Sequence, residues 1–208
     1  TIFVSCLFAA TSFAGYTTPN TGINWNLDSL VGYSSGTLTG AFPNYTLNDT
    51  LTIAANDRVT FRPGANISVT QGAGKGFTVF GVLYAIGTLA DSISIKGSVD
   101  SAGWYRGFRI ENSTIESVVS YCRIMNATEG IHCLNSNPTI MYSLFTKNNS
   151  NAIRLFNASP TIHHCVFTFN RQSAITINSN STAPLIENNI FSYNNYQNTG
   201  PRNAIAVG

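Results

Sequence analysis

Five side-chain positions recur together along the C-terminal half of the chain, and no other feature narrows its fold as sharply. The segments "GIHCLNSNPTIMYSLFTKNNS" from Gly130, "AIRLFNASPTIHHCVFTFNRQ" from Ala152 and "AITINSNSTAPLIENNIFSYNN" from Ala174 align with one another. Ile131, Ile153 and Ile175 lie 22 residues apart. Pro138, Pro160 and Pro184 follow at spacings of 22 and 24, as do Ile140, Ile162 and Ile186, then Phe145, Phe167 and Phe191, then Asn148, Asn170 and Asn194. The segment "GFRIENSTIESVVSYCRIMN" from Gly107 is a looser earlier copy, and Ile205 opens another unit after an insertion.

A period near 22, short β-rich runs and Asn/Gly/Ser turns point to a parallel β-solenoid in which each unit is one turn of the coil. Strands of successive turns pair about 4.8 Å apart, so equal slots become columns. Ile then stacks on Ile and Phe on Phe inside, while Asn stacks on Asn at a bend, where the amides satisfy one another. A leucine-rich repeat has a similar length, but its Leu-x-x-Leu-x-Leu frame is absent. A helical repeat needs a 3.6-residue period, which runs such as "TIMYSLF" lack.

The N-terminal half reads as the same architecture with smaller turns. "LTI" at 51–53, "ISV" at 67–69 and "LYA" at 83–85 recur every 16 residues, interleaved with "VTF" at 59–61, "FTV" at 77–79 and "ISI" at 93–95. "RPGA" at 62–65 and "QGAGKG" at 71–76 read as solenoid turns; the latter lacks the frame of a phosphate loop. The expectation is an all-β solenoid with rungs of about 16 to 24 residues over 45–208, preceded by a cap segment at 15–44.

Residues 1–14, "TIFVSCLFAATSFA", read as the apolar core and Ser-Phe-Ala cleavage site of a secretory signal, so a secreted or cell-surface location is expected. The chain stops at "NAIAVG", just as a new rung opens, which sets the expectation of further rungs or domains in the parent protein. Beyond the signal, the chain holds Cys122, Cys133 and Cys165, an odd number without a C-x-x-C spacing. They read as small buried hydrophobes rather than a disulfide framework.

Charged residues make up 10% of the chain, against a usual figure of roughly 25%. With a net charge of +2 and no basic run, a nucleic-acid partner is not expected. No segment after the signal approaches the ~20 apolar residues of a membrane span.

"RPGANISV", "FTVFGVLYAIGT", "DSISIKG" and "GWYRGFRI", followed by the Cys-x-Ile/Phe rungs, resemble secreted right-handed parallel β-helix proteins and, more broadly, the pectin-lyase-like superfamily. The resemblance covers roughly residues 45–208 and implies a right-handed coil, export and a tendency to meet polysaccharide. For the lyases of this fold it also implies acidic clusters that hold calcium, with an Arg or Lys as base on an exposed sheet. Here Asp28, Asp49, Asp57, Asp91 and Asp100 all precede the 22-residue rungs, and Glu111, Glu116, Glu129 and Glu187 are widely separated. Calcium wants six to eight oxygens, and no such set assembles. The Asn-Thr-Asp, Asp-Asp and Gly-His-Gly pattern of polygalacturonases is missing too. No catalytic residue carries over, no metal or cofactor is expected, and the reading leans towards a non-catalytic glycan- or surface-binding scaffold. The alternative is a polysaccharide lyase or glycoside hydrolase whose acidic site lies outside this segment or is unrecognisable within it.

Alternation along the strands turns Ile110, Cys133 and Leu155 to one side and Arg109, His132 and Arg154 to the other, stacked on successive rungs. Phe156 adds an aromatic ring beside Arg154, and Glu111 an acidic neighbour. Arg109, His132, Arg154, Phe156 and Glu111 are therefore the candidate ligand-binding residues, with a polysaccharide or cell-surface glycan as the partner. Trp104 and Tyr105 read as packing residues. The cluster His163-His164-Cys165 reads as one inward thiol and two outward imidazoles, which cannot close around one ion. A His163–Glu187 pairing across neighbouring rungs is expected instead.

Overall fold

The computed structural model describes residues 15–178, 183–196 and 204–208. The signal sequence assigned to 1–14 lies outside the described residues. The chain coils around an apolar interior in triangular turns, each contributing one short strand to each of three sheets. Face A stacks Tyr16–Thr17, Leu51–Ile53, Gly72–Val79, Tyr105–Glu111, Ile131–Leu134, Ile153–Phe156, Ile175–Ile177 and Ile205–Val207. Face B stacks seven strands from Asn24–Asn26 to Leu185–Glu187. Face C ends in Cys122–Met125, Leu144–Thr146, Val166–Thr168 and Ile190–Ser192. All neighbours are parallel except Leu38–Ala41 and Asn44–Leu47, an antiparallel hairpin at the N-terminal end of face C.

The repeat slots are the registers of these sheets. Ile131, Ile153 and Ile175 pair in face A, Ile140, Ile162 and Ile186 in face B, and Phe145, Phe167 and Phe191 in face C. The last three rings stack at 5.1 Å between successive centroids. Asn148, Asn170 and Asn194 form a ladder beneath the corner between faces C and A. The Asn148 side-chain amide donates to Asn170 Oδ1 at 2.9 Å, and the Asn170 amide to Asn194 Oδ1 at 2.8 Å. The same oxygens accept the backbone N–H groups of Asn148 and Asn170, and Asn170 Nδ2 also donates to the Phe145 carbonyl. Buried amides satisfied this fully make bends that repeat without an energetic penalty.

The 16-residue rung expected for the N-terminal half is corrected. Leu51 pairs with Phe77, Val59 with Leu83, and Ile67 with Ile95, so the spacings are 26, 24 and 28. "LTI", "ISV" and "LYA" belong to faces A, C and B in turn. Sides of the triangle follow one another every eight residues or so, and each shows the same inward alternation. Two sides therefore mimic a period that only three complete. The segment "QGAGKG" is likewise not a turn: residues 72–76 begin the strand Gly72–Val79. Gly107, at φ +107°, packs so closely on the next rung that a Cβ there would lie 1.7 Å from the Glu129 carbonyl oxygen.

The N-terminal end of the coil is closed by the helix Leu27–Tyr33, whose Leu27 and Leu30 enter the core. Asn26 and Ser29 form a reciprocal capping box at its start. Asp57 is buried in an early turn between faces A and B and accepts the backbone N–H groups of Asn20, Thr21, Gly22 and Ile23 at 2.9 to 3.0 Å. Among the described residues, no helix is long and apolar enough to cross a membrane.

Candidate functional site

The outer side of face A carries the column read from the sequence. Arg109 pairs in register with His132, His132 with Arg154, and Arg154 with Thr176. Glu111 and Phe156 stand in the adjacent column, separated by Leu134. The column is not a row of open cations. Arg109 is ion-paired with Glu111. Glu129, from the turn before the strand, reaches between two rungs, with Oε1 3.1 Å from Arg154 and Oε2 3.2 Å from His132 Nδ1. Burial pushes the Glu129 carboxyl up, but the hydrogen bonds and charges of His132 and Arg154 outweigh it and hold it below the usual carboxylate range. His132 is buried, while Arg109 and Arg154 are half-buried. Arg106 lies beside them and donates to Thr78 Oγ1; burial first, then the Arg109 charge, pulls its guanidinium below the ordinary value.

The corners hold a second set of candidates, and they share a backbone conformation. From Asn112 onward the corners turn on residues with φ between +49 and +66°. Between faces A and B these are Asn112, Asn135 and Asn157; between B and C they are Tyr121, Tyr142, His164 and Asn188; between C and A they are Asn126, Lys147, Phe169 and Tyr193. The left-handed region tolerates Asn, but costs a Tyr or Phe on the order of 1 kcal/mol or more. Rings therefore sit where the backbone favours an amide.

These rings form lines along the coil. Phe169 and Tyr193 stack at 5.2 Å with planes 5° apart, Tyr121 and Tyr142 at 5.0 Å with planes 12° apart, and Tyr142 and His164 at 5.0 Å. Near-parallel rings in contact lie roughly 3.5–4 Å apart, so such centroid distances mean a sideways offset that leaves part of each face open. At the C–A corner, Phe169, Tyr193 and Tyr196 wall a cleft of about 480 Å³ whose polar groups come from Asp100, Lys147 and Arg171. Tyr193 is 72% exposed. Lys147 is paired with Asp100 at 2.5 Å, and Arg171 donates to Asn149 Oδ1 and Tyr196 Oη at 2.8 and 3.2 Å. The bonds from Lys147 and Asn126 hold the Asp100 carboxyl below its usual range. A cleft of this volume, with aromatic walls and a few fixed donors, suits a small ligand or one unit of a polymer.

The cluster "HHC" separates as the alternation requires. Cys165 is fully buried, whereas His163 and His164 face outward with their Nδ1 atoms 2.8 Å apart. His163 is in register with Glu187, but no ion pair joins their side chains. Cys122, Cys133 and Cys165 are unpaired, and burial pushes the thiols of Cys133 and Cys165 up to about 12. Among the described residues no three His, Cys, Asp or Glu side chains gather as a metal site. Tyr105 is fully buried, and Trp104 packs against the core with its indole N–H donated to Ser98 Oγ at 2.8 Å.

Residues 84–207 match the family described as the right handed beta helix region. The chain belongs to that family. No curated protein and no solved structure matches the chain. Membership accounts for the stacked registers of this β-helix and leaves its outer surface to be read on its own chemistry. The ring line at the C–A corner was missed from sequence, although the signal is present. Lys147, Phe169 and Tyr193 directly follow the stacked Thr146, Thr168 and Ser192, so extending the alignment by one slot finds them.

Proposed function

We propose that this right-handed β-helix is an exported, non-catalytic scaffold that holds glycan chains against its side. The observation that carries the reading is the cleft at the C–A corner, where Phe169, Tyr193 and Tyr196 stand beside Lys147, Asp100 and Arg171. Sugars are held by apolar ring faces together with planar donors to their hydroxyls, and both are present. The rungs repeat about every 4.8 Å, near the advance of a straight glycan chain per pyranose, so successive rungs address successive sugars. An extended peptide repeats its same-side groups every ~6.6 Å and falls out of step within a few rungs.

The chemistry of the acids favours binding over catalysis. A general acid needs a carboxyl held protonated near neutral pH. Glu129 is pulled the other way and its oxygens are occupied by His132 and Arg154. Export is supported by the signal-like N-terminus, and the three buried, unpaired thiols are shielded from disulfide exchange in an oxidising compartment.

Glycan arrays and titration calorimetry with the best oligosaccharide test the reading. Phe169→Ala with Tyr193→Ala should weaken binding by roughly tenfold or more at an unchanged fold, since each stacked ring contributes about 1 kcal/mol. Unchanged affinity in that variant overturns it. Arg109→Ala with Arg154→Ala separates the two faces: a loss of affinity there moves the ligand to face A.

A further inference from the structure

The outer side of face C carries no charge over its last three rungs, below Arg123 and Lys96 on the two rungs before them. Alternation turns Phe145, Phe167 and Phe191 inward. It leaves Leu144, Val166 and Ile190 in one outer column and Thr146, Thr168 and Ser192 in the next, where Thr146 is already buried and Thr168 and Ser192 are half-buried. Ile190 is 61% exposed. Both borders of this strip are ring lines. Tyr142 and His164 edge it at the B–C corner, where a groove of about 280 Å³ joins them to Leu144 and Val166 and ends at Arg123 on the preceding rung. Phe169 and Tyr193 follow directly after Thr168 and Ser192 at the C–A corner.

We propose that face C, with its two borders, is a docking face for the flat surface of an assembled, neutral polysaccharide, in which straight chains lie side by side along the axis of the coil. The proposal rests on the glycan reading of the C–A cleft and names the form of that ligand. Three features select it. Over its three rungs the strip offers only aliphatic and hydroxyl groups, the chemistry of a neutral polymer's flat face. Both ring lines ride on the same stacked strands, so both keep step with the one strand repeat of about 4.8 Å. Five residue steps separate His164 from Phe169, which at ~3.3 Å each places the lines at most about 16 Å apart. One dissolved chain follows one line; only neighbouring chains in an assembled surface meet both.

Adsorption isotherms on cellulose, chitin and xylan powders, run beside calorimetry with the matching soluble oligosaccharides, test the proposal. Val166→Lys puts a charge in the centre of the strip, and Tyr142→Ala removes a ring from the border opposite the cleft. Each should lower adsorption by roughly tenfold or more, as losing one of two linked contacts does, and leave oligosaccharide affinity at the cleft unchanged. Adsorption equal to the parent protein in both variants overturns the proposal, as does a parent protein that adsorbs to none of the powders. Thr168→Lys replaces Val166→Lys should the latter unfold on heating at a lower temperature. Phe169→Ala with Tyr193→Ala keeps the two readings apart. If that variant retains oligosaccharide affinity, the cleft reading fails, whatever face C does.

Discussion

The corner between faces A and B and the corner between faces C and A solve one backbone problem with different chemistry. Both place a left-handed residue directly after a strand, at the same slot on successive rungs. At the A–B corner that residue is Asn112, Asn135 or Asn157, and the amides link up: Asn135 Nδ2 donates to Asn112 Oδ1 at 2.7 Å, and Asn157 Nδ2 to Asn135 Oδ1 at 2.6 Å. At the C–A corner the slot starts as Asn126 and then becomes Lys147, Phe169 and Tyr193, while the amide ladder moves one position on and inward, to Asn148, Asn170 and Asn194. The buried ladder carries the bend, which frees the strained outer slot for side chains whose value lies outside the fold.

Breaking the inner ladder is expected to have the largest effect. Asn170→Ala strands the Asn148 backbone N–H and the Phe145 carbonyl in the interior and should cost about 3 kcal/mol or more in urea unfolding. Next comes the exchange of solutions. Asn135→Tyr places a ring in a left-handed slot with no ladder beneath it and should lose about 1–2 kcal/mol. Phe169→Asn should stay within about 1 kcal/mol of the parent, because relief of backbone strain offsets the lost stacking, yet bind glycan far more weakly. A large stability loss in Phe169→Asn would mean that the rings serve the fold.

An early A–B corner uses a carboxylate in place of the amides, and pH separates the two. Burial pushes the Asp57 carboxyl up, but hydrogen bonds from Thr18 and from the backbone N–H groups of Ile23, Asn20 and Gly22 hold it below its usual value. A depressed carboxyl contributes stability that is complete above the unfolded value near 3.9 and is lost as pH falls through the folded one. Asp57→Asn should therefore be less stable than the parent at neutral pH, with the gap closing below about pH 4 in thermal melts. The smallest effect is expected at the outer ladder: Asn157→Ala, exposed to water, should cost about 1 kcal/mol or less.

The C-terminal registers were legible because side-chain identity repeats with them; the N-terminal ones were not, because Leu51–Ile53, Asn66–Val69 and Val82–Ile86 share an inside–outside pattern that every face obeys. The stacking of Arg109, His132 and Arg154 followed from the repeat, but Glu129 did not, since it reaches its partners from a turn rather than a strand slot. Phe169 and Tyr193 were hidden for a different reason. Their left-handed backbone contradicts their own preferences, and of the other copies of that slot only Asn126 is a residue that favours it.

The two amide ladders also have a polarity. In the inner one each side chain passes its N–H towards the next rung, from Asn148 to Asn170 to Asn194. In the outer one the N–H points back, from Asn157 to Asn135 to Asn112. Chains of aligned amides polarise one another, so each ladder behaves as a small dipolar wire with a head and a tail. Laid antiparallel within one coil, the two fields subtract. Rungs can then be added without the two ladders summing to one dipole along the coil.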